Sequence, residues 1–359
     1  MIKHLYIHVP FCKTICSYCD FAHCVYKSEL VSKWLKRLKK EFNECNDEQY
    51  ETIYIGGGTP TSLNVNELES LLKLIKPHTS KVQEYTIEAN PENLSIEKIR
   101  LIKRYGINRV SIGLQSSSDR LLKIMNRHHS FLDVKNVVNN LKDNGINNIS
   151  IDVMYSIPTQ KMSDLKKTIK DVLSLDIPHI SIYSLTIEEN TLFGKKGYKP
   201  LDEELEADMY DYFVKTLNEY QYIQYEVANF AKKGYESKHN LGYWRYEDFR
   251  GLSCGSSSKI KNVRYDKTRD LKYYLNNDDI IFDINYLSKE DLMFENIMMS
   301  LRTIEGLNIK EFIKRYKIDP LVRYSKPLKL NSKYILIKDG YISIKNREIL
   351  NIILLDFMD

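Results

Sequence analysis

Three of the chain's six cysteines fall within eight residues, in the run Cys12-Lys-Thr-Ile-Cys16-Ser-Tyr-Cys19. Thiolates are soft ligands, and three at this spacing suit three corners of one four-iron, four-sulfur cubane, with the fourth iron left open to a chelating molecule. Read as structural zinc, the same run needs a fourth ligand, which His23 or Cys24 could supply. Zinc usually takes two cysteine pairs separated by a longer loop, and there is no second Cys-x2-Cys pair here. Crowded cysteines in a chain of 359 residues are also unlike the distributed framework of a secreted disulfide protein, so a reducing, cytoplasmic setting is expected.

Other residues with chemical potential are scattered singly. Gly56-Gly57-Gly58-Thr59-Pro60 lets backbone approach a ligand closely, or makes an ordinary tight turn; it lacks the Gly-Lys-Ser/Thr ending of a phosphate loop. Glu88, Gln115, Arg127, Asp152 and Glu188 each have a bland reading as surface, capping or helix-dipole residues. In His239-Asn240-Leu-Gly-Tyr243-Trp244 an imidazole sits beside flat aromatics, a set that can meet a heme or form a hydrogen-bonded aromatic core.

Strand-like runs at His4–Phe11, Thr52–Ile55, Glu84–Ala89, Arg109–Leu114, Ile149–Met154 and Ile180–Leu185 alternate with amphipathic segments such as Glu67–Ile75, Ile96–Tyr105, Val134–Asp143 and Leu165–Leu175. Right-handed crossovers then build a parallel sheet, and six strands predict an incomplete β/α barrel. Cys12, Gly56–Pro60, Glu88–Pro91, Gln115, Asp152–Pro158 and Glu188 all fall at or after strand C-terminal ends, where such barrels collect their sites. The expected organisation is a barrel over 1–200, an extension with a long helix from Leu201 to Tyr222 over 201–289, and a smaller α+β domain over 290–359. In that last part Leu292–Arg302 and Lys310–Tyr316 read as helices and Tyr334–Ile337 with Tyr341–Ile344 as a hairpin, a winged-helix-like pattern.

Lys and Arg total 53 against 48 Asp and Glu, a net +5 spread along the chain without a basic tail, which speaks against nucleic-acid binding. The basic run Lys33–Lys40 reads as a solvated helix face. No stretch approaches the roughly twenty apolar residues of a membrane span.

The spacing Cys-x3-Cys-x2-Cys, with the aromatic Tyr18 before the third cysteine, resembles the signature of the radical S-adenosylmethionine (SAM) superfamily. Tyr6-Ile-His8-Val-Pro10-Phe11-Cys12, Ile87-Glu88-Ala-Asn90-Pro91, Ser111-Ile-Gly113-Leu-Gln115-Ser116, Asn126-Arg127-His128-His129-Ser130 and Asp152-Val-Met154-Tyr155-Ser156-Ile-Pro158 resemble, in order, motifs of the oxygen-independent coproporphyrinogen III oxidase-like group. The resemblance implies a cluster on Cys12, Cys16 and Cys19 whose open iron binds SAM. It also implies a SAM site drawn from Tyr6, Tyr18, Gly57, Gly58, Thr59, Glu88, Gln115, Arg127 and Asp152. Porphyrinogen-oxidising members carry a fourth cysteine two residues after the third and a longer N-terminal arm. Here position 21 is Phe and eleven residues precede Cys12, as in the HemW heme chaperone branch. That branch implies heme as a ligand, at His239, Tyr243 and Trp244 with Cys254 as alternative, and recipient hemoproteins among the membrane-bound respiratory enzymes. No role is implied for Cys24 or Cys45. The competing expectation is coproporphyrinogen III oxidation.

Overall fold

The computed structural model describes residues 2–345 and 349–358. All six expected strands form: β1 (His4–Val9), β2 (Thr52–Gly57), β3 (Glu84–Ala89), β4 (Arg109–Gln115), β5 (Asn148–Tyr155) and β6 (His179–Ser184). They lie side by side, in this order and all parallel. A seventh parallel strand, β7 (Phe249–Leu252), pairs with the free edge of β1. Antiparallel strands continue the sheet beyond β7 (Ser257–Ile260, Val263–Lys267, Ile281–Tyr286) and beyond β6 (Asn229–Ala231, Ile223–Gln224), twelve strands in all among the described residues.

Alternation sets the two faces. Leu5, Ile7 and Val9, Ile53 and Ile55, Tyr85 and Ile87, Val110 and Ile112, Ile149 and Ile151, and Ile180 and Ile182 belong to one apolar core. Helices cover this outer side: α1 (Ser28–Glu44), α2 (Val65–Ile75), α3 (Ile96–Arg104), α4 (Phe131–Asp143) and α5 (Met162–Leu173). α2 buries Leu68, Leu71, Leu72 and Ile75, spaced as one helical face, and Asn64 with Glu67 closes its first turn as a capping box. α4 repeats the pattern with Val134, Val137, Val138 and Leu141 behind a Ser130–Asp133 box. The intervening positions, His4, Tyr6, His8, Thr52, Tyr54, Glu84, Thr86, Glu88, Arg109, Ser111, Ser150, Asp152, His179 and Ser181, therefore share the concave face.

Two expectations shift. The first strand stops at Val9, because Pro10 has no N–H to give the ladder, and Phe11–Cys12 instead pairs in parallel with Cys24–Val25. The long helix runs Glu203–Glu219 (α6), started by Asp202, whose carboxylate accepts from the N–H groups of Glu204 and Leu205. Towards the C-terminus, Met293, Ile297, Leu307, Phe312, Ile342 and Ile353 centre a separate apolar cluster. Over it lies a three-stranded antiparallel sheet in the order Leu307–Asn308, Tyr341–Ile344, Ile335–Lys338.

The strands' N-terminal ends are closed by a short helix, α7 (Lys238–Trp244). Glu84, 3% exposed, accepts from the hydroxyl of Ser237 (3.3 Å) and from the N–H groups of Lys238 and His239 (2.9 Å each). Removing that carboxylate strands three donors, two of them buried, so Glu84→Ala should destabilise the fold by about 2–4 kcal/mol in urea unfolding, with Glu84→Gln losing about half as much. A loss below about 1 kcal/mol for the alanine variant would mean that α7 is held by other contacts.

Candidate functional site

The cysteine loop leaves β1 at the opposite, C-terminal end of the strands. Its path is fixed from three sides: Ser17 N–H donates to Met125 O (2.9 Å), Phe193 N–H donates to Ser17 O (2.9 Å), and the Asn126 amide donates to Ile15 O (2.7 Å). Tyr18 packs against the small apolar cluster of Leu121, Leu122, Met125 and Phe193, with its hydroxyl beside Cys16 and Arg127. Cys12 is buried, while Cys16 and Cys19 are partly exposed.

Each thiol has a polar neighbour. The Thr59 hydroxyl approaches Cys12 Sγ and Arg127 Nη1 approaches Cys16 Sγ, both at 3.5 Å, and His23 Nδ1 lies 3.6 Å from Cys19 Sγ. His23 Nδ1–H donates to the Phe21 carbonyl at 2.6 Å, so that nitrogen has no lone pair for a metal. Among the described residues no three His, Cys, Asp or Glu side chains converge on a point suited to one metal ion. Three soft thiolates on one loop suit the separate iron corners of a cluster. Burial pushes the Cys12 thiol up to about 12 and the Cys19 thiol up to about 11, so a metal must displace their protons on binding.

The glycine run lies directly beside this loop. A Cβ on Gly58 would come within 2.9 Å of the carbonyl oxygens of Val9 and Phe11 and within 3.0 Å of Cys12 Sγ, and Gly57 has φ +107°. Only glycines let the end of β2 lie this close. Gly57 N–H donates to Glu88 Oε2 (3.2 Å) and the Tyr54 hydroxyl donates to Glu88 Oε1 (2.8 Å). Burial nonetheless raises the Glu88 carboxyl to about 7, with the nearby Asp152 charge adding to the effect. Asp152 accepts from the Ser111 hydroxyl (3.1 Å), and burial raises it as well.

At the end of β4 a register shift between Gly113 and Gln115 turns the chain, with Gln115 at φ 65°. Gly113 is overlain by two side chains: a Cβ there would meet Arg127 Nη2 at 2.9 Å and Gln115 Nε2 at 3.0 Å. Arg127 donates through Nη2 to Gly113 O and through Nη1 towards Cys16, tying strand end to cysteine loop. His8 is 3% exposed, and burial lowers it to about 4. Its Nε2–H donates to Ala22 O (2.7 Å), so its Nδ1 accepts from the Tyr6 hydroxyl (3.0 Å).

Cys12, Cys16, Cys19, Gly57, Gly58, Thr59, Glu88, Gln115, Arg127 and Asp152 thus gather at one end of the sheet. Tyr6 lies one step deeper on the concave face, and Glu188 is exposed at the rim. His239, Tyr243 and Trp244 are not brought there: they belong to α7, at the other end. His239 is 1% exposed, with Nδ1 bonded to Thr52 Oγ1 and Nε2 to the Tyr243 hydroxyl, both at 2.7 Å. Neither ring nitrogen is offered to a ligand. Cys45 and Cys254 are buried in the main apolar core.

Sequence reasoning missed Tyr54, Ser111 and Arg109, which face the same interior. Arg109 is 2% exposed, and its Nε has no hydrogen-bond partner among the described residues; the same holds for Thr86 Oγ1 and Asn148 Oδ1 on either side of it in register. Polar residues at every second position of otherwise apolar strands were the available signal.

Comparison with known proteins agrees with this arrangement. Residues 6–172 match the family model of the Radical SAM superfamily. The protein named heme chaperone HemW of Lactococcus lactis is 36% identical over 320 residues, covering 87% of this chain and 84% of the relative. Its namesake in Bacillus subtilis is 36% identical over 334 residues (88% and 87%), and that of Escherichia coli 32% over 327 residues (86% and 85%). The solved coproporphyrinogen III oxidase (HemN) of Escherichia coli, described as a radical SAM enzyme, superposes with a TM-score of 0.85 at 19% identity, covering 99% of this chain and 90% of that one; at this identity the likeness speaks for the fold alone. With a radical SAM domain around its cysteine loop and such identity across most of its length, the chain belongs to the HemW family of radical SAM proteins.

Proposed function

We propose that this chain is a heme chaperone, binding heme and passing it to hemoproteins, and that Cys12, Cys16 and Cys19 hold a four-iron, four-sulfur cluster at the mouth of its sheet. The observation that carries the reading is 30–36% identity, sustained over most of the chain, to relatives named for heme delivery. Membership of the radical SAM superfamily implies the cluster and SAM. When bound, the cluster supplies an electron to the sulfonium of SAM.

The chain's own residues do the positioning. Glu88 and Asp152 present carboxylates to the cationic groups of SAM, and the backbone of Gly57 and Gly58 admits its amino-acid end beside the cluster. Gln115 and Arg127, stacked over Gly113, supply amide and guanidinium donors to its carboxylate and ribose. Ligation of a heme iron by His239 would first require the hydrogen bond to Thr52 or Tyr243 to break. Recipients among membrane-bound respiratory enzymes and a cytoplasmic location complete the reading. No helix of the described residues is long and apolar enough to cross a membrane.

Anaerobically reconstituted protein should contain iron and acid-labile sulfide, lost in Cys12→Ala, Cys16→Ala and Cys19→Ala and retained in Cys45→Ala; one zinc without sulfide would defeat the cluster. SAM affinity should rise about tenfold between pH 6 and 8, as the Glu88 carboxyl, raised to about 7, becomes the anion that a cation prefers. Calorimetric titration should find that slope flattened in Glu88→Gln; an unchanged slope would remove Glu88 from the site. Wild-type protein should bind hemin and leave coproporphyrinogen III unconverted with SAM and reductant present. Accumulation of protoporphyrinogen IX would instead favour the oxidase reading.

A further inference from the structure

We propose that the cleft between the base of the sheet and the C-terminal helices holds the two propionate carboxylates of a porphyrin. The assignment rests on the heme reading for the identity of the ligand, and on the charge of the cleft for its place.

The cleft is a cavity of about 520 Å³ at the N-terminal end of the strands, the opposite end from the cysteine loop. Its wall brings together five cations from separate segments: Lys3 before β1, Lys259 and Lys261 at a hairpin, Lys289 at the start of one C-terminal helix and Arg315 near the end of another. The acids facing it are Glu247 and Asp248. Five positive against two negative groups give the cleft a net positive field, and Lys261 and Lys289, both solvent-exposed, are accessible to an incoming anion.

The two acids are already taken. Glu247 accepts from Lys3 (2.9 Å) and from His4 (2.7 Å), and Asp248 accepts from Lys259 (2.8 Å), whose ammonium also sits 4.1 Å from the centre of the buried Tyr246 ring. Arg315 spends Nη1 on the Tyr246 carbonyl (2.9 Å). Lys261 and Lys289 have no ion pair or hydrogen bond through their ammonium groups among the described residues. Lys261 is nevertheless held in place: its N–H donates to Asp248 Oδ2 (3.1 Å) and its backbone is left-handed, φ 55°.

Two uncommitted ammonium groups on different elements suit two separate carboxylates better than one compact phosphate, since each is a point charge without a fork to clasp a single group. A heme presents that pattern along one edge. Tyr246 and Tyr316 are almost fully buried, so the cleft grips anionic groups and offers no aromatic face to the macrocycle.

The test titrates full-length protein with hemin and, separately, with iron protoporphyrin IX dimethyl ester, whose propionates are uncharged. Wild type should bind hemin at least about tenfold more tightly than the ester. The double variant Lys261→Gln/Lys289→Gln should lose about tenfold for hemin and nothing for the ester, with Lys261→Arg/Lys289→Arg restoring the hemin value. Unaltered thermal unfolding is expected for both, because neither ammonium has a partner to lose. Equal affinity for hemin and ester, or hemin affinity unmoved in the glutamine variant, would overturn the cleft while leaving the heme reading intact. Failure of wild type to bind hemin at all would overturn both.

Discussion

A parallel sheet buried on both faces has no solvent to hydrate the polar side chains of its concave side, and most of the architecture answers that constraint. Most inward groups find a partner from a neighbouring strand, a loop or an added element, because an unpaired buried donor or acceptor costs about 1–3 kcal/mol; Arg109 Nε, Thr86 Oγ1 and Asn148 Oδ1 are exceptions. Ser111 serves Asp152, Tyr54 serves Glu88, and Tyr6 serves His8. At the base, where strand neighbours run out, α7 delivers three donors to Glu84 and the ring of His239 to Thr52. The sheet is therefore dressed differently at its two ends: carboxylates, glycines and thiols where ligands enter, and a self-satisfied polar network where they do not.

That network has a direction. Although burial works against its charge, hydrogen bonds from His4 and Lys3 hold Glu247 at about 2, and a carboxylate only accepts, so His4 Nε2 donates to it. Thr52 Oγ1 lies between the Nδ1 atoms of His4 and His239 (2.8 and 2.7 Å), donating to one and accepting from the other, and Tyr243 closes the series at His239 Nε2. Both nitrogens of each histidine ring are bonded. This explains why a histidine flanked by Tyr and Trp, a fair heme candidate on residue type, is spoken for in the folded chain.

The cofactor end was legible in the sequence because its chemistry is local. Cys12, Cys16 and Cys19 share one loop, the glycine run closes one strand, and Glu88, Gln115 and Asp152 lie in the C-terminal halves of their strands, so position gathered them at one end while their SAM role came from the family resemblance. β7 was not legible. Four residues containing Gly251 carry little strand signal, and their partner is β1, far away in the chain. Nor did anything in His239-Asn240-Leu-Gly-Tyr243-Trp244 say that the segment would be drawn to Glu84, since that contact spans 155 positions. The side-chain alternation that exposes Arg109 as an interior residue was present in the strand already identified, but a charged residue opening an apolar run reads first as a strand boundary.

The pairing of β7 with β1 also bears on the order of assembly. β1 carries the cysteine loop at its end, yet one of its two edges stays unpaired until residues 249–252 have been made and have travelled back to it. Contacts of such sequence separation form late and slowly. During synthesis, which proceeds from the N-terminus, the nascent chain thus exposes three thiols on a strand whose second neighbour does not yet exist. The thiol loop is held by Met125, Asn126 and Phe193, and its strand by residues 249–252, so it is locked only after most of these partners have been made, leaving an interval in which its sulfurs are reachable by whatever machinery donates iron and sulfide.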